Sequence, residues 1–157
     1  MRLVIPKESL SGERRTSATP ETVKKMIRHG ADVAIESGAG AAVGFSDDVY
    51  AELGAEIVSD RAALMSSAAM VLRLRKPEHD EVAMLKAGCI HVSYLDPFNE
   101  RELITALAKQ GVTAVSMEMI PRSTRSQKMD ALSSQANLAG YVAVMLAAAR
   151  LPRIFPM

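Results

Sequence analysis

The segment Arg2–Glu36, RLVIPKESLSGERRTSATPETVKKMIRHGADVAIE, decides the fold class of this 157-residue chain. The short apolar run from Arg2 to Ile5 predicts a β-strand, and Asp32 to Glu36 predicts a second one. Between them, Thr19-Pro20 is typical of an N-cap followed by proline at the first helical position, and it predicts a helix that ends near Gly30. A strand, a helix and a strand in this order indicate a parallel β–α–β unit.

The same alternation continues along the chain. Further strands are predicted at Ala55 to Val58, Ala69 to Leu74, Cys89 to Tyr94 and Val112 to Met117. Helices are predicted from Asp47 to Leu53 with Ser46 as N-cap, from Asp60, from His79 to Leu85, and after the N-cap Asn99. We therefore predict an α/β fold with a doubly wound, mostly parallel sheet of the flavodoxin or Rossmann type, and an N-terminal α/β domain over residues 1–120.

Residues 121–157 differ in character and predict a polar loop followed by a long C-terminal helix. Asp130 is the predicted N-cap, and the helix is expected to run to about Ala149. From Leu138 onward it is apolar on nearly every face, so we expect it to be buried or sandwiched. Either it is an Ala-rich core helix of the same domain, or a partner packs against its stripe of small residues. The stripe comprises Ser133, Ala136, Gly140, Ala143 and Ala147.

Composition argues against several classes of protein. The chain has 19 Lys and Arg against 18 Asp and Glu, and this balance predicts no nucleic-acid partner. One cysteine, Cys89, and three scattered histidines predict neither an internal disulfide nor a metal site. The apolar run from Ala139 to Ala149 is shorter than the roughly 20 residues that a membrane helix needs. With no leader pattern after Met1, we expect a cytoplasmic chain without a membrane span.

Charged residues follow the predicted strands, at the sheet edge where open α/β folds bind ligands. They are Lys7, Glu8, Arg75, Lys76, Asp96 and Glu118, with Glu13, Arg14 and Arg15 in the first long loop. The stretch Gly38 to Gly44 superficially resembles a dinucleotide fingerprint. A new cap at Ser46 follows within two residues, so we predict a tight turn there and no phosphate-binding helix.

The chain offers no convincing nucleophile. Cys89 lies in an apolar run and is predicted to be an inert core thiol. His91 would share its face of the strand, but a Cys–His pair inside a strand is disfavoured. Ser133-Ser134 lacks the strand–turn–helix elbow that exposes a catalytic serine.

Several segments resemble one family of N-terminal domains. They are Ile5-Pro6-Lys7-Glu8, Glu13-Arg14-Arg15-Thr16-Ser17-Ala18-Thr19-Pro20, Glu36-Ser37-Gly38-Ala39-Gly40 and Gly44-Phe45-Ser46-Asp47. From Met1 to about Phe155 the chain is similar to the N-terminal domain shared by alanine dehydrogenase and the alpha subunit of proton-translocating NAD(P) transhydrogenase. The resemblance implies that this chain lacks the NAD-binding Rossmann domain, which in the family would follow shortly after Met157.

Two positions bear on the choice between the branches of the family. The dehydrogenases place a lysine before the proline of the strand-four turn and a histidine just after strand five, where this chain has Arg75 and Asp96. An arginine can bind a carboxylate. An aspartate with an ordinary pKa cannot replace imidazole as a proton donor near neutral pH, so amino-acid oxidation is disfavoured. Arg15 matches the substrate arginine of the dehydrogenases.

The loop after strand six is very similar to the transhydrogenase loop that lies beside the NAD(H) nicotinamide. The resemblance implies catalytic and cofactor-binding roles for Arg122, Gln127 and Asp130, with Ser133 as a further cofactor contact. Direct hydride transfer between two nicotinamides moves no substrate proton, so such a site needs orienting hydrogen bonds and no general acid or base.

The resemblance also implies the cofactors and partners. NAD(H) would be bound mainly by a domain absent from this chain and NADP(H) by a partner subunit, with no metal. We expect contacts with the NAD-binding domain and the beta subunit, a homodimer, and a position peripheral to the inner membrane. The isolated chain is expected to be inactive. Two alternatives stay open: an alanine-dehydrogenase-like oxidoreductase domain, and a non-catalytic interaction module.

Overall fold

The first β–α–β unit has the predicted bounds in the computed structural model, which describes residues 1–152. Strand β1 is Arg2–Ile5, helix α1 is Pro20–Arg28 and strand β2 is Asp32–Glu36. The Thr19 side chain accepts a hydrogen bond from the Thr22 amide, with proline at the first helical position. The strands run parallel, which confirms the predicted unit.

Four further strands and four further helices complete residues 1–116 of the described chain. The strands are β3 (Glu56–Val58), β4 (Met70–Arg75), β5 (Ile90–Tyr94) and β6 (Thr113–Ser116). The helices are α2 (Asp47–Glu52), α3 (Arg61–Ser67), α4 (His79–Val82) and α5 (Arg101–Lys109). All six strands are parallel in the order β3-β2-β1-β4-β5-β6. The order reverses between β1 and β4, where doubly wound sheets place their ligand crevice.

Apolar side chains cover both faces of the sheet, as a parallel sheet requires. Alternation along β1 sends Val4 into one core and Leu3 and Ile5 into the other. The first core also contains Leu64, Leu103 and Leu107 from helices, and the second contains Val23 and Tyr50.

Two predicted helix boundaries differ from the structure. Asn99 is not the N-cap of α5, which begins at Arg101 after Glu100. The Asn99 amide instead donates to both carboxylate oxygens of Asp96, at 2.9 and 3.0 Å. Asp96 has a φ of 51°, so the chain turns sharply there and uses Asn99 to hold the turn. Helix α4 ends at Val82 rather than Leu85 because the chain continues in single turns.

A second unit begins at Met117. It contains short 3₁₀ turns at Met117–Met119 and Gln127–Met129, then helix α6 over Ala131–Arg150. Residues 153–157, which the predicted second domain includes, lie outside the described residues.

Helix α6 has no buried side chain and is exposed over residues 132–150, so the expectation of an Ala-rich core helix is wrong. By length and composition alone α6 would suffice to cross a membrane, because 20 residues rise about 30 Å. The expected absence of a membrane span therefore stays a prediction.

Candidate functional site

The segment from Pro121 to Asp130, which we call the basic loop, is folded by successive tight turns. The Ser123 amide donates to Pro121 O at 3.0 Å, and the Ser126 amide donates to Ser123 O at 3.0 Å. The Met129 amide donates to Ser126 O at 2.8 Å, which begins the 3₁₀ turn that carries Gln127. These short-range bonds give a polar segment with little apolar burial a defined course.

Three of the predicted site residues line one open depression of about 280 Å³ in the second unit. They are Arg122, Gln127 and Asp130, joined there by Ser123 and Thr124. The depression thus presents a guanidinium group, an amide and a carboxylate to one space. Resemblance alone had placed the first three together, and the two hydroxyl residues were not predicted.

Asp130 caps α6 as predicted. Its Oδ1 atom accepts a hydrogen bond from the Ser133 amide at 2.9 Å. Hydrogen bonding from Ser133 holds the pKa of Asp130 below its ordinary value, and the Arg122 charge contributes less. Ser133 itself is not among the residues that line the depression. Ser133 is therefore connected to the predicted site by the hydrogen bond from its amide to the Asp130 carboxylate.

The first unit holds a second group of charged side chains, at the carboxyl ends of β1 and β4. Glu13 accepts from Arg15 Nε at 2.8 Å and from Arg75 Nε at 2.9 Å. Hydrogen bonds from Arg15 lower the pKa of Glu13 to about 2, against the opposing effect of burial. Two cations that could bind a substrate carboxylate are therefore already engaged by a carboxylate of this chain.

Beside this group lies a depression of about 320 Å³ at the ends of β4 and β5. Its lining residues are Ser9, Leu10, Arg75, Lys76, Glu78, Tyr94 and Asp96. Asp96 stands at the position where the resemblance expects histidine, and Asn99 donates to both its oxygens. The Asp96 carboxylate thus accepts hydrogen bonds that stabilise the backbone turn in which it lies.

A buried ionic cluster lies behind this edge, and the sequence did not predict it. Glu81 accepts from Arg73 Nη1 at 2.7 Å and from Arg61 Nε at 2.8 Å, and Arg61 also pairs with Glu36. The Arg73 side chain is fully buried. Burial raises the pKa of Glu81, but the Arg73 charge and hydrogen bonds from Glu78 and Arg61 outweigh it, so the net shift is downward. The available signal was Arg73 itself, a charge at an inward position of an apolar strand.

The glycine-rich stretch is a turn, as predicted. Gly38 and Gly44 have φ values of 76° and 86°, which side chains rarely adopt. Asp47 closes the turn by accepting from the Gly38 amide at 2.8 Å and from Ser37 Oγ at 2.6 Å. The Asp47 carboxylate thus engages the Gly38 amide, a backbone donor of the kind that phosphate-binding loops leave available.

Cys89 is buried, and burial raises the pKa of its thiol, in agreement with the predicted inert role. His91 is also fully buried. Burial first, and the Arg73 charge second, lower the pKa of His91 to about 4, so its imidazole is neutral at physiological pH. Neither side chain has the environment of a reactive group.

Comparison with known proteins identifies the family of the chain. The model of the alanine dehydrogenase/PNT N-terminal domain family matches residues 4–139. A relative in Cereibacter sphaeroides, NAD(P) transhydrogenase subunit alpha, is 41% identical over 155 residues, which cover 99% of this chain and 30% of the relative. The alanine dehydrogenase of Bacillus subtilis is 32% identical over 144 residues, which cover 92% of this chain and 37% of that enzyme.

A comparison of folds also identifies a transhydrogenase. The crystal structure of transhydrogenase from Sinorhizobium meliloti superposes with a TM-score of 0.93 and 40% identity, over 100% of this chain and 47% of that one. The chain thus spans less than half the length of these relatives. The match confirms the predicted fold class.

Proposed function

The chain belongs to the alanine dehydrogenase/PNT N-terminal domain family, and on that basis we propose that it forms the N-terminal domain of an NAD(P) transhydrogenase alpha subunit. In this role it would position NAD(H) for direct hydride transfer between NADH and NADP⁺, coupled to proton translocation in the whole complex. Identity of 41% to a transhydrogenase subunit, against 32% to an alanine dehydrogenase, supports this branch of the family.

One observation carries the proposal: Arg122, Gln127 and Asp130 line a single depression. The depression is open and has a volume of about 280 Å³. A depression of this size has room for one ring with its amide group. Guanidinium, amide and carboxylate groups provide the donors and acceptors that a carboxamide and ribose hydroxyls require. The residues present thus fit a nicotinamide edge.

The roles follow from the side-chain chemistry. Bound NAD(H) would supply the hydride. Gln127 would orient the ring through its amide, and Arg122 would donate to a carboxamide or ribose oxygen. Asp130 would accept from a hydroxyl with the oxygen that does not cap α6.

The remainder of the system is proposed on the same basis. NAD(H) would be held mainly by an NAD-binding domain outside this chain, and NADP(H) by a partner, the beta subunit. We propose a homodimer, since the exposed apolar side chains of α6 need partners. The domain would lie in the cytoplasm, peripheral to the inner membrane, and would be inactive alone.

A second candidate is an alanine-dehydrogenase-like domain, and the depression of about 320 Å³ at the ends of β4 and β5 favours it. Two features oppose it. Asp96 replaces the expected histidine, and Glu13 engages both Arg15 and Arg75. Pyruvate-dependent NADH oxidation by the chain extended through its following domain would support this candidate against the transhydrogenase.

The decisive experiment replaces Gln127 by asparagine in the assembled enzyme. The substitution keeps the amide and withdraws it by about 1.5 Å, the length of one carbon–carbon bond. Because misplacement by about 1 Å can cost 100-fold in rate, we expect hydride transfer to slow by roughly 10- to 100-fold. The same change at Gln135, in α6, is the matched control and should leave the rate unaltered.

An unchanged rate in the Gln127→Asn enzyme would leave the loop without a catalytic role and would favour the third candidate, a non-catalytic interaction module. A second measurement tests the cofactor assignment. Isothermal titration of the isolated chain with NADH should give negligible heat. Micromolar binding would place the nucleotide pocket on this chain.

A further inference from the structure

Two buried polar side chains of the first unit, Arg73 and His91, have atoms that no described residue satisfies. His91 and the side chain of Arg73 are both 0% exposed. Within residues 1–152, His91 Nε2 and the Nε and Nη2 atoms of Arg73 have no hydrogen-bond partner. The carboxylate of Glu8 is 4.0 Å from Nη2, beyond hydrogen-bond distance. Native proteins satisfy nearly all such buried atoms, by protein groups or by ordered water.

The two side chains lie on the same face of the sheet, on neighbouring strands. Val71 of β4 is paired with His91 of β5, and alternation places Arg73, two residues beyond Val71, on the face of Val71. Strand geometry puts the Cα atoms of His91 and Arg73 about 8 Å apart. The Arg73 charge contributes to the lowered pKa of His91, which agrees with this proximity. An interval of this length suits side chains that are joined through one small molecule.

The hydrogen bond of His91 indicates which ring nitrogen carries the proton. Nδ1 lies 3.4 Å from Ser93 Oγ. A neutral imidazole has one donor nitrogen and one acceptor nitrogen. A proton on Nε2 would leave a buried donor without an acceptor, in the field of the Arg73 cation. A proton on Nδ1 instead donates to Ser93 Oγ and leaves a lone pair on Nε2 that can accept a hydrogen bond.

The surroundings of Arg73 favour water over an anion. The ionic cluster contains two guanidinium groups and three carboxylates, a net charge of −1. These groups belong to Arg61, Arg73, Glu8, Glu36 and Glu81. An anion beside the guanidinium of Arg73 would add a further negative charge to this cluster. Water can accept from a guanidinium and also donate to the lone pair of the imidazole, as the two orphaned groups require.

We propose that one buried water molecule joins His91 Nε2 to the Arg73 guanidinium group, with the imidazole proton on Nδ1. The water accepts from an Arg73 N–H group and donates to Nε2, while Nδ1–H donates to Ser93 Oγ. Strand β5 is thereby tied to the cluster of Arg73, Glu81 and Arg61, which already links β4, α4 and α3. This site lies apart from the predicted nicotinamide contacts and does not depend on the proposed function.

The first test is NMR spectroscopy of the full 157-residue chain, labelled with nitrogen-15 at histidine and studied at pH 7. Correlation of the ring carbon protons with both ring nitrogens distinguishes the tautomers, because protonated and unprotonated nitrogens differ widely in chemical shift. We expect His91 Nδ1 to have the shift of a protonated nitrogen and Nε2 that of an unprotonated one. We also expect a cross-peak between water and the Hδ2 proton, on the Nε2 side of the ring, with the sign of a long-lived bound water.

A serine variant tests the hydrogen bond that sets the tautomer. Ser93→Ala removes the acceptor of Nδ1–H, so the ratio of the Nδ1–H to the Nε2–H tautomer should fall by roughly 2- to 10-fold, the effect of one ordinary hydrogen bond. The water cross-peak to Hδ2 should persist, since it does not arise from exchange through the Ser93 hydroxyl. Ser66→Ala, at an exposed position of α3, is the matched control and should leave the His91 spectrum unchanged.

A crystal structure of the same chain tests the link to Arg73. It should show a water oxygen about 2.7–3.2 Å from His91 Nε2 and from one guanidinium nitrogen of Arg73. A wild-type imidazole with its proton on Nε2, no water cross-peak to Hδ2, a direct bond between the two side chains or an anion at this position would each overturn the inference. The wild-type spectra and the crystal structure decide the question even if Ser93→Ala does not fold.

Discussion

Replacement of Glu81 by glutamine should destabilise the first unit strongly, because the substitution removes the one charge that directly bonds a fully buried arginine. Glu81 is 5% exposed and accepts from Arg73, from Arg61 and from the Glu78 amide, at 2.7, 2.8 and 2.8 Å. After the change, the carboxylate that remains near Arg73 is that of Glu8, 4.0 Å from Nη2. Glutamine has nearly the same size but turns an amide donor toward guanidinium donors.

Breaking a buried ion pair by removal of one partner costs about 3–5 kcal/mol, against a total of about 5–15 kcal/mol for a typical domain. The free energy of unfolding can be measured by urea titration followed by circular dichroism, with an unchanged slope as the condition for comparison. Glu21→Gln, which removes a 77% exposed carboxylate from its pair with Lys25, is the matched control and should leave the midpoint unchanged.

The lowered pKa of Glu81 also determines how the stability of the first unit depends on pH. The pKa of Glu81 in the folded chain is below its ordinary value of 4.5. Its contribution to stability is therefore present above that value and is lost as the pH falls through the lower folded-state pKa. The difference between wild type and Glu81→Gln should shrink below about pH 4.5. A variant within 1 kcal/mol of wild type at pH 7 would refute a structural role for the cluster.

Three other results are expected. Gly40→Ala should lower the free energy of unfolding, measured in urea, by about 1–3 kcal/mol, because the new Cβ atom would lie 2.7 Å from the Tyr50 ring. The same change at Gly140, where a Cβ atom has no neighbour within 4 Å, should stabilise α6 by up to about 1 kcal/mol. The imidazole of His91 should titrate by NMR near pH 4, because its pKa is lowered to about 4, and the stability should fall as the pH drops from about 6.5 toward that value. A titration midpoint near pH 6.5 would contradict the burial of a neutral His91 imidazole. Asp130→Asn should keep the cap of α6 and slow hydride transfer, whereas Asp130→Ala should lower both the helicity and the rate. Wild-type rates of hydride transfer in both variants would mean that Asp130 only caps the helix.

Much of the fold could be predicted because its elements depend on neighbours a few residues away. Thr19, Asp60 and Asp130 accept hydrogen bonds from the amides three residues ahead, as their types and positions predict. Asn99 shows the limit of this reasoning. The left-handed turn at Asp96 engages the Asn99 side chain, and α5 begins after Glu100, which makes no side-chain cap bond.

The candidate site was predictable in a different way. Periodicity and composition show only a polar loop between a strand and a helix. The resemblance to a family selected Arg122, Gln127 and Asp130, and the turns of the loop bring those three to one depression. Ser123 and Thr124 lacked any signal beyond their position, since hydroxyl residues are ordinary in loops.

The sequence by itself determined the parallel α/β class, the order of its elements and the edge at which its charges collect, because caps, turns and alternation act within a few residues. Tertiary structure alone decided which charges meet. Glu81 bonds Arg61 across 20 residues, and Arg75 bonds Glu13 across 62. Such partners are set by strand order and by which face of the sheet each helix covers. The exposure of α6 was also decided by the tertiary structure. An apolar sequence indicates that a helix needs a covering surface, but it does not identify that surface.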